Sequence, residues 1–321
     1  MHLLTQPATA QPGTMIAERN DFAASPSPVN PQPRSPEQRR NDIAMRPATP
    51  QYPMPNPVAP LQSPGTPEIN AERPMAMKSV KEIVERPRAS NEHPLKPVLE
   101  WAEAERPRLL AIKDYKGILH KQEMIGDEFM HQAMYFLHRT DPFSVYIYIT
   151  TPEEKKGTEA LYIEGQNDGN LIGHAGKGIF SWAGTRSLDP EGDLARNGSK
   201  YTIREMGLLY MVDHLIGFGK HDAKYGDGCT VRAIEGAKVD GRSCTVIVVT
   251  HPKQYKEFEF HIAKIYVDDE YRLPVRCETY MWPEKPGDDP PLKEAVTYTN
   301  LEFNVGLTDA DFDSRNPNYN F

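Results

Sequence analysis

Ten histidines, three cysteines and 45 acidic residues are the raw material for a catalytic or metal site, so their spacing decides which chemistry is open. A zinc hydrolase helix would carry HExxH, and none occurs. His214 and His221 stand at opposite ends of one helical segment, too far apart to share an ion. His251 and His261 fall on adjacent expected strands, where hydrogen-bonded structural roles are the expectation for both. Gly173–Gly178 has the glycine content of a phosphate loop but neither the GxxxxGKS/T spacing nor a helix directly after it. Asp189-Pro190-Glu191-Gly192-Asp193 begins like a calcium loop, yet Leu194 stands where glycine is needed and Lys200 where a bidentate glutamate is needed. Asp268-Asp269-Glu270 reads as a solvated turn between strands. Cys229, Cys244 and Cys277 form no CxxC pair and lie in strand-like stretches, as small buried hydrophobes do. No serine sits in a GxSxG elbow. No catalytic residue, metal set or cofactor is therefore expected. A hydrolase built on His174 or His261 with a nearby carboxylate ranks last among the readings.

The elements that would have to position any site are more legible. Leu95, Val98, Leu99, Ala102, Leu109 and Leu110 recur at helical spacing, with a kink or restart expected at Pro107. The period then changes to two: strands are expected over Tyr115–Gln122, Phe129–His138 and Ser144–Thr150, the last apolar on both faces, which implies a sheet covered on both sides. Leu161–Glu164 and Leu171–His174 flank an Asp168-Gly169 turn, and Gly184–Lys200 reads as a loop. A helix is expected over Ile203–Gly219, then strands over Thr230–Ile234, Arg242–Thr250, Glu257–Val267, Leu273–Met281 and Lys293–Asn304. A hairpin turning at Asp240-Gly241 pairs Cys244 with Ala237, which leaves Cys229 too far along the ladder for a bridge. The expected fold class is α+β: about ten antiparallel strands in a strongly curved sheet or partial barrel, with the helices on one face.

Composition divides the chain. Nineteen of its 30 prolines lie in residues 1–100, whereas 27 of its 29 aromatic residues lie from Trp101 onward. Residues 1–94 are expected to be a disordered, polyproline-like tail or tether and residues 95–321 one folded domain; Ala76–Arg86 is the single stretch of the tail with any helical tendency. The formal charge of −8, without a Lys/Arg run, argues against nucleic acid as a partner. Apolar runs reach only five residues, so no transmembrane helix is expected. The first ten residues lack the basic and apolar regions of a signal peptide, although Ala8-Thr9-Ala10 has the small-x-small form of a cleavage site.

The blocks DPFSVYIYI, LYIEGQNDGNLIGHAGKG, SLDPEGDLARNGSKYTIREMG, EGAKVDGRSCTVIVVTHP, FHIAKIYVDDEYRLPVRCETYMWP and NVGLTDADFDSRNPNYNF lie in order between Asp141 and Phe321, and the domain that carries them, residues 95–321, resembles the bacterial family known as domain of unknown function 1571. That family in turn is similar to the outer-membrane lipoprotein carrier (LolA-like) superfamily. The resemblance implies an incomplete antiparallel barrel wrapped around a hydrophobic cavity, helices as a lid, and binding of acyl chains, lipids or lipoproteins outside the cytoplasm. It also implies export to the periplasm or cell envelope. Carriers proper have an arginine on the strand after a proline-containing corner; here Asp141–Tyr146 has none, which favours an apolar ligand over lipoprotein carriage.

On this reading the chain is a non-enzymatic binding protein. The residues expected to line its cavity are Tyr146, Tyr148, Tyr162, Trp182, Leu209, Leu215, Ile247, Val249, Phe258 and Phe260. Strand alternation leaves open which face points inward, because a one-residue shift reverses every assignment. The alternatives are a structural or envelope-interaction module that docks a partner chain, and the hydrolase.

Overall fold

The computed structural model describes residues 78–126, 128–177, 184–196, 198–225 and 228–321. Among the described residues two helices come first, one short and one long. α1, Val80–Val84, opens on a capping box in which Ser79 Oγ accepts from the Glu82 amide and the Glu82 carboxylate accepts from the Ser79 amide. Val80 and Val84 are buried beside Ala233 and Ile247, so packed structure reaches upstream of Pro94. Ser79→Ala is expected to lower stability by about 1 kcal/mol, read from the urea unfolding midpoint.

α2, Lys96–Leu110, runs unbroken through Pro107 rather than restarting there. The proline lies in the last turn, where its missing N–H forfeits a single helical bond.

Eleven strands follow in one sheet: β1 Asp114–Ile125, β2 Glu128–Arg139, β3 Ser144–Thr151, β4 Glu159–Ile163, β5 Leu171–His174, β6 Thr185–Leu188, β7 Thr230–Val239, β8 Arg242–Thr250, β9 Ile262–Asp268, β10 Pro274–Tyr280 and β11 Leu292–Phe303. Their order is β6-β5-β4-β3-β2-β1-β11-β10-β9-β8-β7, with antiparallel pairing throughout. This is two meanders joined by β1 against β11, with β6 and β7 as the edge strands among the described residues and α1 packed against β7. The barrel is open.

Two strand expectations change. β6 lies inside the stretch read as loop, because Thr-Arg-Ser-Leu on a sheet edge carries no apolar alternation. β9 begins at Ile262, not Glu257; residues 251–261 are a loop. The Asp240-Gly241 hairpin does pair Ala237 with Cys244.

Helices α3, Asp193–Arg196, and α4, Leu208–Asp222, sit between β6 and β7 in the chain. α4 starts later than the expected Ile203, because Gly207 with φ 115° and ψ 163° interrupts the helical path. α2 and α4 pack on each other closely: at Gly219 a β-carbon would lie 2.7 Å from Leu99 Cδ2, so a larger residue there would displace the Leu99 side chain. Both strand faces of β3 are buried, with Val145 at 0% and Tyr146 at 1% exposure. The convex side is covered by the chain's own end, where Phe312, Tyr319 and Phe321 close over Tyr146, Leu137 and Leu161.

Candidate functional site

The concave face of the sheet does not close on its helices. Between them lies a cavity of about 1030 Å³, walled by residues from every strand except β7 and roofed by α2 and α4. Contact with both β6 (Leu188) and β8 (Ile247, Val249) shows how far the sheet wraps. Strand parity sets the wall. On β1 the inward phase is Tyr115, Gly117, Leu119, Lys121 and Glu123, and on β3 it is Ile147 and Ile149. Leu99, Ala102 and Leu109 descend from α2, Met211, Leu215 and Phe218 from α4. Most of the lining is aliphatic or aromatic, which makes water a poor occupant of its interior.

Of the residues expected to line a cavity, Leu215, Ile247, Val249 and Phe260 stand in its wall. Tyr146 and Tyr148 do not: β3 turns its other face inward, and both pack in the convex cluster, where Tyr146 stacks on Tyr319 at 4.0 Å. Tyr162 is not in the wall: it packs with Val145 and with the wall residues Leu171 and Ile203, its hydroxyl accepting from Arg204 Nε at 2.9 Å. Leu209 packs into the main core beside the cavity. Phe258 lies on the 251–261 loop, stacked on His251 at 4.1 Å. Trp182 lies outside the described residues.

The polar groups in the wall are mostly engaged with one another. Glu105, 4% exposed, accepts from Arg272 Nε at 2.8 Å and Arg108 Nη1 at 2.7 Å. Tyr201 donates to Glu294 at 3.0 Å, and burial beside that carboxylate raises the phenol well above its ordinary range. Lys121, 8% exposed, holds Glu123 at 3.2 Å and bonds Ser199 Oγ. Gln132, its partner across the β1–β2 ladder, is 4% exposed, and its amide nitrogen meets no acceptor. Sequence reasoning passed over Lys121 and Gln132. The signal for Lys121 was a charged residue in the inward phase of an alternating strand.

The groups needed for hydrolysis do not converge. His174 Nδ1 lies 3.3 Å from Thr185 Oγ1, and His261 Nδ1 donates to the His251 carbonyl at 2.7 Å; neither meets a carboxylate there. Two other histidines meet Asp222: His221, with Nδ1 3.2 Å from Oδ1, and His251, fully buried, with Nδ1 donating to the Phe260 carbonyl and Nε2 3.3 Å from Oδ2. The His251 Nε2 makes no hydrogen bond, so this ring sets the loop beside the end of α4 by packing and proximity. Cys244 and Cys277 are free thiols, and burial pushes each up to about 12, far from reactive thiolates. Among the described residues no three His, Cys, Asp or Glu side chains assemble around a common point, and no helix is long and apolar enough to cross a membrane.

Residues 112–321 match the family described as a protein of unknown function, DUF1571. The chain belongs to the DUF1571 family. No curated protein matches it. Solved structures similar to this DUF1571 chain include a DUF1329 family protein from Desulfovibrio piger, 16% identical over 69% of this chain and 98% of that one, with a TM-score of 0.34. A putative outer membrane lipoprotein-sorting protein domain from Vibrio parahaemolyticus is 12% identical over 67% and 96%, with a TM-score of 0.33. The lipoprotein LppX of Mycobacterium tuberculosis is 13% identical over 68% and 100%, with a TM-score of 0.37. Likeness at this level extends to no individual wall residue, so the DUF1571 cavity has to be read from its own chemistry.

Proposed function

We propose that this DUF1571 protein is a binding protein that holds a lipid, an acyl chain or another apolar molecule in its half-barrel, without covalent chemistry on it. One observation carries the reading: an apolar cavity of about 1030 Å³ persists in the domain, walled in large part by side chains of its two main buried clusters. Small-molecule sites run to about 300–1,000 Å³, so the space suits a long-chain molecule. An unfilled hydrophobic volume of this size costs stability, and an occupant would recover it. An exported location in the periplasm or envelope goes with this function, as does a tethering role for the proline-rich segment. A lipoprotein's acyl chains are one form the ligand could take.

Protein purified without detergent and extracted with organic solvent is expected to release a long-chain amphiphile, near one per chain, visible as an added mass by native mass spectrometry. A preparation that carries none, and that fails to bind a fluorescent fatty-acid probe, would overturn the reading. An extract containing a peptide instead would favour docking of a partner chain.

A further inference from the structure

The cavity is not uniform along its length. Toward β8 and β9 its wall is mainly apolar, with Leu95, Val98, Ile247, Val249, Ala263 and Phe260, and its acidic groups there are Asp222 and Glu259. Toward β1 and β2 it carries hydrogen-bond donors. Lys121 and Gln132 are cross-strand partners, both more than nine-tenths buried. Lys155, from the 3-10 turn after β3, joins them on the wall. Its ammonium is disfavoured by burial and by the charge of Lys121, which Glu154 only partly offsets. Of the carboxylates nearby, Glu123 lies 3.2 Å from the Lys121 ammonium through Oε1, which makes no hydrogen bond, and accepts from the Lys200 amide at 3.4 Å through Oε2, while Glu154 is exposed.

An ammonium and an amide nitrogen only donate, whereas a carboxylate or phosphate oxygen only accepts. A buried amide nitrogen without an acceptor is a cost that folded proteins seldom tolerate. At Gln132 that cost falls on the cavity wall, where a bound molecule could remove it. From β1 to β8 is four strand spacings, about 19 Å along the sheet. An acyl chain spans such a distance.

We infer that the ligand is an amphiphile with an anionic, oxygen-rich head, a carboxylate or a phosphate monoester, received by Lys121, Gln132 and Lys155, its tail running beneath α2 toward β8. This rests on the reading of the cavity as an apolar-ligand site and adds which end takes the head and what charge the head carries.

Displacement of a fluorescent fatty-acid probe from the full chain by four 16-carbon competitors tests it: palmitate, hexadecyl phosphate, hexadecanol and hexadecylamine. At least one anionic competitor is expected to bind about tenfold more tightly than hexadecanol, the size of one charge-assisted hydrogen bond, with hexadecylamine weakest; which anion leads identifies the head. Gln132→Leu and, separately, Lys155→Met are expected to bring the anion-to-alcohol ratio to within about threefold. Thermal unfolding of each variant confirms that it is folded, and Gln132→Leu removes a polar group that has no acceptor to lose. Equal binding of all four competitors, or a ratio unchanged in both variants, would refute the head site while leaving the apolar cavity as a binding site. Failure of all four to bind would remove the cavity reading itself.

Discussion

Gly207→Ala is expected to destabilise the protein by about 3 kcal/mol and to loosen the roof of the cavity before the sheet unfolds. Gly207 precedes α4 with φ 115° and ψ 163°, a backbone region that is essentially glycine-only. Space forbids the substitution as firmly as conformation does, because a β-carbon would lie 2.7 Å from both His138 Nε2 and the Tyr115 hydroxyl. That hydroxyl also caps the helix, accepting from the Leu208 amide at 2.8 Å. A methyl group at Gly207 therefore separates α4 from the strands that anchor it. Gly217 supplies the control on the same helix: it is exposed, a β-carbon there meets nothing within 4 Å, and Gly217→Ala should stabilise by about 0.5–1 kcal/mol. Urea unfolding measures both changes, and amide exchange along Leu208–Asp222 shows whether the helix loosens first. Equal effects at the two glycines would mean that Gly207 is not the anchor.

Much of the fold was legible because its signals are local. Period-two alternation marks β1 to β3, Asp240-Gly241 fixes the β7–β8 hairpin, and the helical recurrence from Leu95 marks α2. The wall of the cavity was only partly legible, and the misses at Tyr146 and Tyr148 share one cause. β3 is apolar on both faces because residues far along the chain, Phe312, Tyr319 and Phe321, cover its convex side. Nothing within Val-Tyr-Ile-Tyr-Ile says that the tyrosines meet that cover while Ile147 and Ile149 meet the cavity. Phe258 was misplaced for a different reason. Its aromatic, alternating neighbourhood reads as strand, but Phe258 stacks on His251, which lies within reach of Asp222 at the end of α4. Strand propensity there gives way to the loop's tertiary contacts. Gln132 was invisible because a glutamine in a strand normally marks the solvent side, and only the assembled sheet shows that it is buried in the cavity wall.

The second large effect concerns acid, and it arises at the same anchor. His138 is buried, stacked on Tyr115 at 4.5 Å and met edge-on by Phe143 at 5.2 Å. Burial holds its imidazole down at about 4, against about 6.5 for an unfolded histidine, and a hydrogen bond with the Met206 backbone opposes only part of that. Between those two values the unfolded chain takes up a proton that the folded chain refuses. Stability contributed by this group is therefore complete above about pH 6.5, falls as the pH drops toward 4, and levels off below 4, where both states are protonated. A separation of about 2.5 units corresponds to roughly 3 kcal/mol. Urea unfolding at pH 7, 5.5 and 4 should show this loss superimposed on the carboxylates' own titration, and His138→Phe should flatten the profile between pH 6.5 and 4 while leaving the rest unchanged. An unaltered profile in that variant would show that His138 is not the group responsible. Because His138 Nε2 lies against Gly207 and its ring against Tyr115, the charged imidazole would be solvated most cheaply by parting from α4. Mild acid should accordingly raise amide exchange at Leu208–Val212 before it does so in β1 or β2, and a ligand held beneath that helix should be released over the same pH interval.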